Sequence, residues 1–393
     1  MTFKNKKLNE TLLNADVNIT DKKRSNLFSW RGQFTPQLIE QLLLAYASKN
    51  DKIFDPFIGS GTVLFDCALL GLEASGCDIN PAAIAFAKVY ELINHSNNSV
   101  FDAIGIIELA VAKHTNSLPL VQDNVCSHLE KDIIQLYYDV KNKPEKIILL
   151  ALITGMDFGN KEATIKRINH VWGTLRSNIE LLPSTSKKIC CYHADARKTP
   201  LKDSSIDFII TSPPYINVFN YHQNYRKSIE KIGIDILKVA RSEIGSNRKF
   251  RPNRFLTVVQ YCMDMSQVFS ELRRVCKKDA KIIFIVGRES KVRNTSFKNA
   301  SLINMIAQIC GFKKVGEQTR VFMNKFGENI YEEILKFKIS EAIPNNIIDK
   351  SRELGQEALK NALLYCDQKV VSEINIAIKK SENIKTSEFY NEQ

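Results

Sequence analysis

Residues 52–78, KIFDPFIGSGTVLFDCALLGLEASGCD, carry the pattern that decides the fold. KIFD reads as a short buried strand, GTVLFDCALLG as a helix closed by Gly71, and EASGCD as a second strand. Between the first strand and the helix lies the turn DPFIGSGT, Asp55 to Thr62. Strand, glycine turn, helix and strand make a β-α-β unit, and the turn falls at the carboxyl edge of the sheet, where such folds bind ligands. Gly59 and Gly61 leave room for the backbone to approach a ligand closely. Val63 and Leu64 stand where a nicotinamide fingerprint would place a third glycine, and no Gly-Lys-Ser/Thr follows to make a phosphate loop. Asp78 ends the second strand at about the 20-residue spacing that puts a carboxylate on ribose hydroxyls.

The same alternation continues on both sides. Thr35 and Pro36 form a cap and first turn, and Leu38, Ile39, Leu42, Leu43 and Tyr46 recur at helical spacing. Asn80 and Pro81 open another helix. Residues 98–186 read as mostly helical, with IILLALITGMDF as a core-packing helix. Strand signals return in KICCYHAD and IDFIIT; TVVQYCMDMSQVFSELRRVCKK is an amphipathic helix, AKIIFIVG a buried strand, and TRVFMNKFGENIYEEILKF two strands around a glycine turn. The expectation is α/β: one doubly wound, Rossmann-like sheet with a terminal β-hairpin and a helical insert between its halves. Its divisions are an N-terminal arm (1–26), mobile or helical; a catalytic domain (27–337) holding the insert at about 98–186; and a helical C-terminal extension (338–393) suited to packing, dimerisation or DNA contact.

Composition sets the class. The chain has 393 residues, 44% hydrophobic and 25% charged, and no apolar run approaches a bilayer span. The lysine-rich N-terminus lacks the apolar stretch of a secretory signal, so a cytoplasmic location without membrane attachment is expected. Nine scattered cysteines with no CxxC pair suit buried, reduced thiols rather than a zinc site or disulfide frame, and no metal is expected. A net charge of +12 favours a polyanionic partner.

TSPPYINVFNY, residues 211–221, places a rigid corner directly after the strand IDFII. Pro213 and Pro214 have no N–H and a fixed φ, and aromatic rings follow them. DPFIGSGT with GCDINP resembles the S-adenosylmethionine site of the DNA amino-methyltransferases. TSPPY resembles their catalytic tetrapeptide, which is Asp, Asn or Ser followed by Pro-Pro-Tyr or Pro-Pro-Phe. FSWRGQFTPQLIEQLL (28–43) resembles the segment that closes over the methionine end of the cofactor. The resemblance covers roughly residues 28–92 and 187–337, with the cofactor motif before the catalytic one.

The resemblance implies the class I S-adenosylmethionine-dependent methyltransferase fold, with S-adenosyl-L-methionine as cofactor. It implies cofactor contacts from Gln33, Phe34 and Thr35, from Asp55, Phe57, Gly59, Ser60, Gly61 and Thr62, from Asp78 and Ile79, and from Asp195 towards the adenine. Ser212, Pro213, Pro214 and Tyr215 are the catalytic residues it implies.

The chemistry agrees with elementary principles. An exocyclic base amine is a poor nucleophile, and acceptors on its protons localise the lone pair for in-line attack on a sulfonium methyl. Ser212 Oγ and the Pro213 carbonyl suit that task, and Tyr215 can stack on a base turned out of the duplex. His193 reads as a satisfied structural histidine and is left outside the site.

Between residues 216 and 255 stand Arg226, Lys227, Lys231, Lys238, Arg241, Arg248, Lys249, Arg251 and Arg254 against Glu230, Asp235 and Glu243. Interleaved with Phe219, Tyr221, His222 and Tyr225, they suit phosphate contact with base stacking; Tyr221, Arg226, Arg248, Arg251 and Arg254 are the nucleic-acid candidates. The insert is a second candidate for sequence recognition. The expected function is site-specific methylation of cytosine N4 in double-stranded DNA, because serine in the tetrapeptide is associated with cytosine in the resembling family. A cognate restriction endonuclease would act on the same sequence without stable binding. Adenine-N6 methylation of DNA, guanine-N2 methylation of RNA and a catalytically silent nucleic-acid-binding module remain the alternatives.

Overall fold

Alternate residues of the central strands enter opposite hydrophobic layers, which is why their sequences are continuously apolar. Ile53, Phe208, Ile210, Ile283 and Ile285 join one core; Phe54, Ile209, Ile282, Phe284 and Val286 join the other. The computed structural model describes every residue except 1, 21–22, 116–127, 217–219, 247–249, 324–326, 341–344 and 391–393.

Along the chain come α1 (Asn14–Val17), α2 (Pro36–Tyr46), β1 (Lys52–Asp55), α3 (Thr62–Leu69), β2 (Glu73–Asp78) and α4 (Pro81–Ala87). The insert supplies α5 (Asn97–Thr115), α6 (Leu129–Asp139), α7 (Lys143–Met156) and α8 (Ile165–Glu180). Then follow β3 (Ile189–His193), β4 (Ile206–Thr211), α9 (Arg226–Lys231), α10 (Ile236–Ser242), α11 (Leu256–Val275) and β5 (Cys276–Gly287). A short hairpin, β6 (Ser290–Val292) and β7 (Thr295–Phe297), precedes α12 (Asn299–Ile309), β8 (Phe312–Met323), β9 (Asn329–Ile339), α13 (Ile347–Ala362) and α14 (Val371–Lys380).

The main sheet has the order β3-β2-β1-β4-β5-β9-β8. The first five strands are parallel, whereas β9 is antiparallel to both β5 and β8. This is the class I methyltransferase arrangement, a doubly wound sheet closed by a hairpin. Strand order reverses between β1 and β4, so the loops after β1, β2 and β4 meet over one crevice.

Local chemistry positions those loops. Asn80 caps α4 by accepting from the Ala82 and Ala83 amides at 2.9 and 3.4 Å, and Pro81 fills the first turn. Thr35 precedes α2 as expected, but its hydroxyl makes no cap bond; Pro36 supplies the start.

The termini are more integrated than divisions by sequence pattern suggest. In the N-terminal arm, Leu8, Leu12 and Val17 are buried, and Leu12 exchanges two hydrogen bonds with the Gln318 amide of β8. The helical tail packs on α11: Gly355 of α13 lies so close to it that an added Cβ would stand 2.7 Å from Val259 Cα. Within the insert, α7 buries Ile147, Ile148, Leu152 and Ile153, as a core helix should. No described helix is long and apolar enough to cross a membrane.

Candidate active site

The turn after β1 is tied to the end of β2 through a carboxylate. Gly59 N donates to Asp78 Oδ2 at 3.1 Å, and Asn80 N donates to Asp78 Oδ1 at 2.8 Å. Gly59 has φ of +52°, and a Cβ there would come within 3.1 Å of Trp30 Cδ1. Beneath the turn, Asp55 accepts from Thr211 Oγ1 at 2.6 Å and from the Phe57 amide at 3.0 Å. Burial pushes Asp55 up to about 7 despite these donors, and Asp78 up to about 6 despite the Asn80 and Gly59 amides.

A cavity opens above the turn. Gln33, Phe34, Phe57, Gly59, Ser60, Thr62, Asp78, Ile79 and Asp195 all line it, together with Ser212 and Pro214. Three residues expected at the cofactor lie elsewhere. Asp55 sits behind the turn, bracing it against β4. Gly61 caps α3 with φ of +92°, and Tyr90 occupies the space a Cβ would need, 2.5 Å from its Cε2, so Gly61 admits a packing ring rather than a ligand. Thr35 lines a neighbouring cavity.

Asp195 reaches the cavity wall with both carboxylate oxygens engaged. Oδ1 accepts from Arg197 N and Nε at 2.9 Å each, and Oδ2 from Arg197 Nη2 at 2.6 Å and from the Tyr390 amide at 3.0 Å. Arg197 also donates to the Ser387 and Glu388 carbonyls, so the C-terminal segment is strapped beside this wall. His193 bonds Ile79 O at 3.0 Å, a structural role as expected.

At the proline corner, Pro213 is buried while Ser212, Pro214 and Tyr215 are half-buried. The Tyr215 ring lies on the backbone of Gly287 at the end of β5, and its hydroxyl donates to Glu332 Oε1 at 3.4 Å. It lines neither cavity. The second cavity, of about 450 Å3, borders the first: Gly32, Gln33, Phe34 and Ser212 belong to both walls.

The nucleic-acid candidates separate. Tyr221 is a wall of the first cavity rather than an outward-facing platform, held there because its carbonyl accepts from Asn80 Nδ2 at 2.8 Å. Arg226 spends its charge on Glu230 at 2.7 Å. Arg251 and Arg254 are exposed just before α11, whereas Arg248, Lys249 and Phe219 lie outside the described residues.

Several residues at the site are not among the candidates. Trp30 backs Gly59 and stacks near Tyr225, with ring centroids 6.4 Å apart. Glu243 lines the first cavity and holds His222, whose Nδ1 is 2.5 Å from Glu243 Oε2. Arg320 and Glu332 reach the second cavity from the terminal hairpin. Only the tryptophan had a cue, its place within FSWRGQF.

A sequence model described as DNA methylase, for the N6 and N4 methyltransferases, matches residues 2–89. Type II methyltransferase M.MjaII of Methanocaldococcus jannaschii is 21% identical over 80% of this chain and 81% of its own length. Type II methyltransferase M.BsoBI of Geobacillus stearothermophilus is 22% identical over 58% of this chain, which spans only 57% of that relative.

Proposed function

We propose that this chain, which resembles the DNA amino-methyltransferases over residues 2–89 and a type II methyltransferase over 80% of its length, methylates the N4 amine of cytosine at a specific sequence in double-stranded DNA, as the modification enzyme of a restriction-modification system. The carrying observation is the position of Ser212 on the walls of both cavities, which would set a donor on one side of it and an acceptor base on the other.

The cofactor is S-adenosylmethionine, and the residues of the first cavity fit it. A Cβ at Gly59 would close the cradle against Trp30, and the Asp78 carboxylate on the cavity wall suits a ligand that carries hydroxyls. Bound there, it supplies an electrophilic methyl group. Asp78, already oriented by two amides, is the acceptor for ribose hydroxyls. Gln33 and Phe34 close the side shared by the two cavities.

On the base side, Ser212 Oγ and the Pro213 carbonyl accept the amine protons, drawing the nitrogen towards tetrahedral geometry and localising its lone pair. Prolines suit this position because they present carbonyls without a competing N–H. After transfer the nitrogen is cationic and acidic, and its proton passes to solvent without a dedicated base. No cysteine nucleophile is needed. Exposed Arg251 and Arg254 are suited to contact phosphates.

Serine in the tetrapeptide supports cytosine, and the likeness to proteins named type II methyltransferases supports the restriction-modification setting. Nucleoside mass spectrometry of DNA and RNA from cells with and without the gene tests the assignment. The expected product is 4-methylcytosine in DNA; 6-methyladenine or RNA 2-methylguanine in its place would replace it.

A further inference from the structure

Arg320 of β8 and Glu332 of β9 are directly paired across the terminal hairpin, and both reach the cavity of about 450 Å3 that Ser212 borders. Arg320 is only 3% exposed. Its guanidinium lies over the Phe322 ring, 4.5 Å from the centroid, and its Nε is 3.5 Å from Glu332 Oε2. That contact neutralises charge without a hydrogen bond: Nε is a buried donor with no acceptor. The other carboxylate oxygen of Glu332 accepts from Tyr215 of the proline corner at 3.4 Å. A buried cation with an unspent donor, on the wall of a cavity beside the reacting position, is what a ligand-reading group requires.

We infer that this cavity receives the target base and that Arg320 reads the edge of its ring, selecting cytosine over adenine; the assignment rests on the methyl-transfer function proposed above. With the amine directed at Ser212, cytosine presents two further acceptors in sequence along its edge, N3 and then O2. A guanidinium offers parallel N–H donors that match such a pair. Adenine in the same orientation presents N1 and then a carbon-bound hydrogen, leaving one donor buried and unpaired. Glu332 is a positioning residue. Its carboxylate pairs with the guanidinium that lies over Phe322 and accepts from Tyr215, so base recognition and the catalytic corner are linked through one side chain.

The test uses full-length protein, S-adenosylmethionine, and genomic DNA from a host without DNA methylation, which serves as substrate before the recognised sequence is known. Initial rates of 4-methylcytosine and 6-methyladenine formation are measured for wild type, Arg320→Met, Arg320→Lys and Glu332→Gln. The rise in Tm on adding S-adenosylmethionine reports an intact fold and cofactor site. Wild type is expected to form 4-methylcytosine, and Arg320→Met to lose roughly 10- to 100-fold in rate while keeping the cofactor-induced rise. Glu332→Gln should fall between them. Should Arg320→Met not fold, Arg320→Lys, which keeps the charge but not the fork, is expected to show the rate loss. Undiminished 4-methylcytosine formation by the folded variants would overturn the pocket and leave the proposed function standing. Wild type forming 6-methyladenine instead would overturn the base assignment and the pocket together.

Discussion

Thr211 Oγ1 donates to Asp55 Oδ1 at 2.6 Å, so the residue before the proline corner is fastened to the residue that begins the glycine turn. The two lie 156 positions apart in sequence, on adjacent parallel strands. The bond fixes the separation between the glycine turn and the proline corner, as the proposed in-line transfer requires. Thr211→Val keeps the shape and removes the donor, leaving a buried carboxyl with the Phe57 amide. A loss of about 1–3 kcal/mol in stability is expected, with weaker S-adenosylmethionine binding. Denaturant unfolding and calorimetry measure the two, and a variant matching wild type in both would remove Asp55 from any bracing role.

The two glycines of the turn should fail differently. Gly61→Ala forces a side chain into left-handed backbone and onto the Tyr90 ring, so it should cost stability by about 1–3 kcal/mol. Gly59→Ala also enters left-handed backbone, at φ of +52°, but meets only Trp30 at 3.1 Å and narrows the cavity, so beyond a smaller stability cost it should weaken cofactor affinity. Tyr90→Leu should partly rescue Gly61→Ala and do nothing for Gly59→Ala. Parallel melting curves and cofactor titrations distinguish the patterns.

Asp55 and Asp78 give the apo protein a definite pH response. Burial raises both above their unfolded value of 3.8, to about 7 and about 6, so the folded chain holds protons the unfolded chain has released. Their contribution to stability is therefore fully present below about pH 4 and is lost as pH rises through 6 and 7. Other carboxylates act oppositely at lower pH, as Glu271 does beside Arg274, so the comparison belongs between pH 5 and 7.5. Asp78→Asn should flatten the fall in Tm across that window relative to wild type. Saturating S-adenosylmethionine, by favouring the ionised carboxylates, should flatten it too; equal slopes for all three would contradict the raised values.

Cofactor binding and turnover should separate at Asp78 and Tyr215. Asp78→Ala removes the acceptor that Gly59 and Asn80 orient, and S-adenosylmethionine binding should weaken first. Tyr215→Ala removes a ring lodged on Gly287, outside the cofactor cavity, so cofactor affinity should hold while kcat falls. Identical losses of cofactor binding in both variants would mean that the two regions do not act separately.

The parallel sheet, its glycine turn and the terminal hairpin are legible in the sequence because each is local: a strand of buried alternates, a turn, a capped helix. IDFII predicts β4, and Asn80-Pro81 predicts α4, from short-range chemistry. Relationships across the sheet are not local. That Gly61 answers to Tyr90, 29 positions on, and that Tyr221 faces inward through Asn80, a capping residue 141 positions away, cannot be read from short-range pattern. The short hairpin of β6 and β7, only three residues per strand, falls below the length at which alternation can be recognised. Arg320 and Glu332 form part of an ordinary hairpin pattern, and only the register of β8 on β9 brings them together at a cavity.

Arg197 gives a last test, because its side chain is fully buried between two carboxylates. Asp195 Oδ2 lies 2.6 Å from Nη2, and Asp264 Oδ1 lies 3.5 Å from Nη1. Removing one partner of a buried pair leaves uncompensated charge, so Arg197→Met should cost about 3–5 kcal/mol. The loss should be partly recovered in Arg197→Met/Asp195→Asn, which no longer buries the nearer bare carboxylate. Because the guanidinium also holds the Ser387 and Glu388 carbonyls, Arg197→Met should detach the C-terminal segment. The Tyr390 ring, 4.9 Å from His193, reports on that detachment through the His193 NMR signals. A double variant no more stable than the single one would show that the strap, rather than the ion pair, is what Arg197 supports.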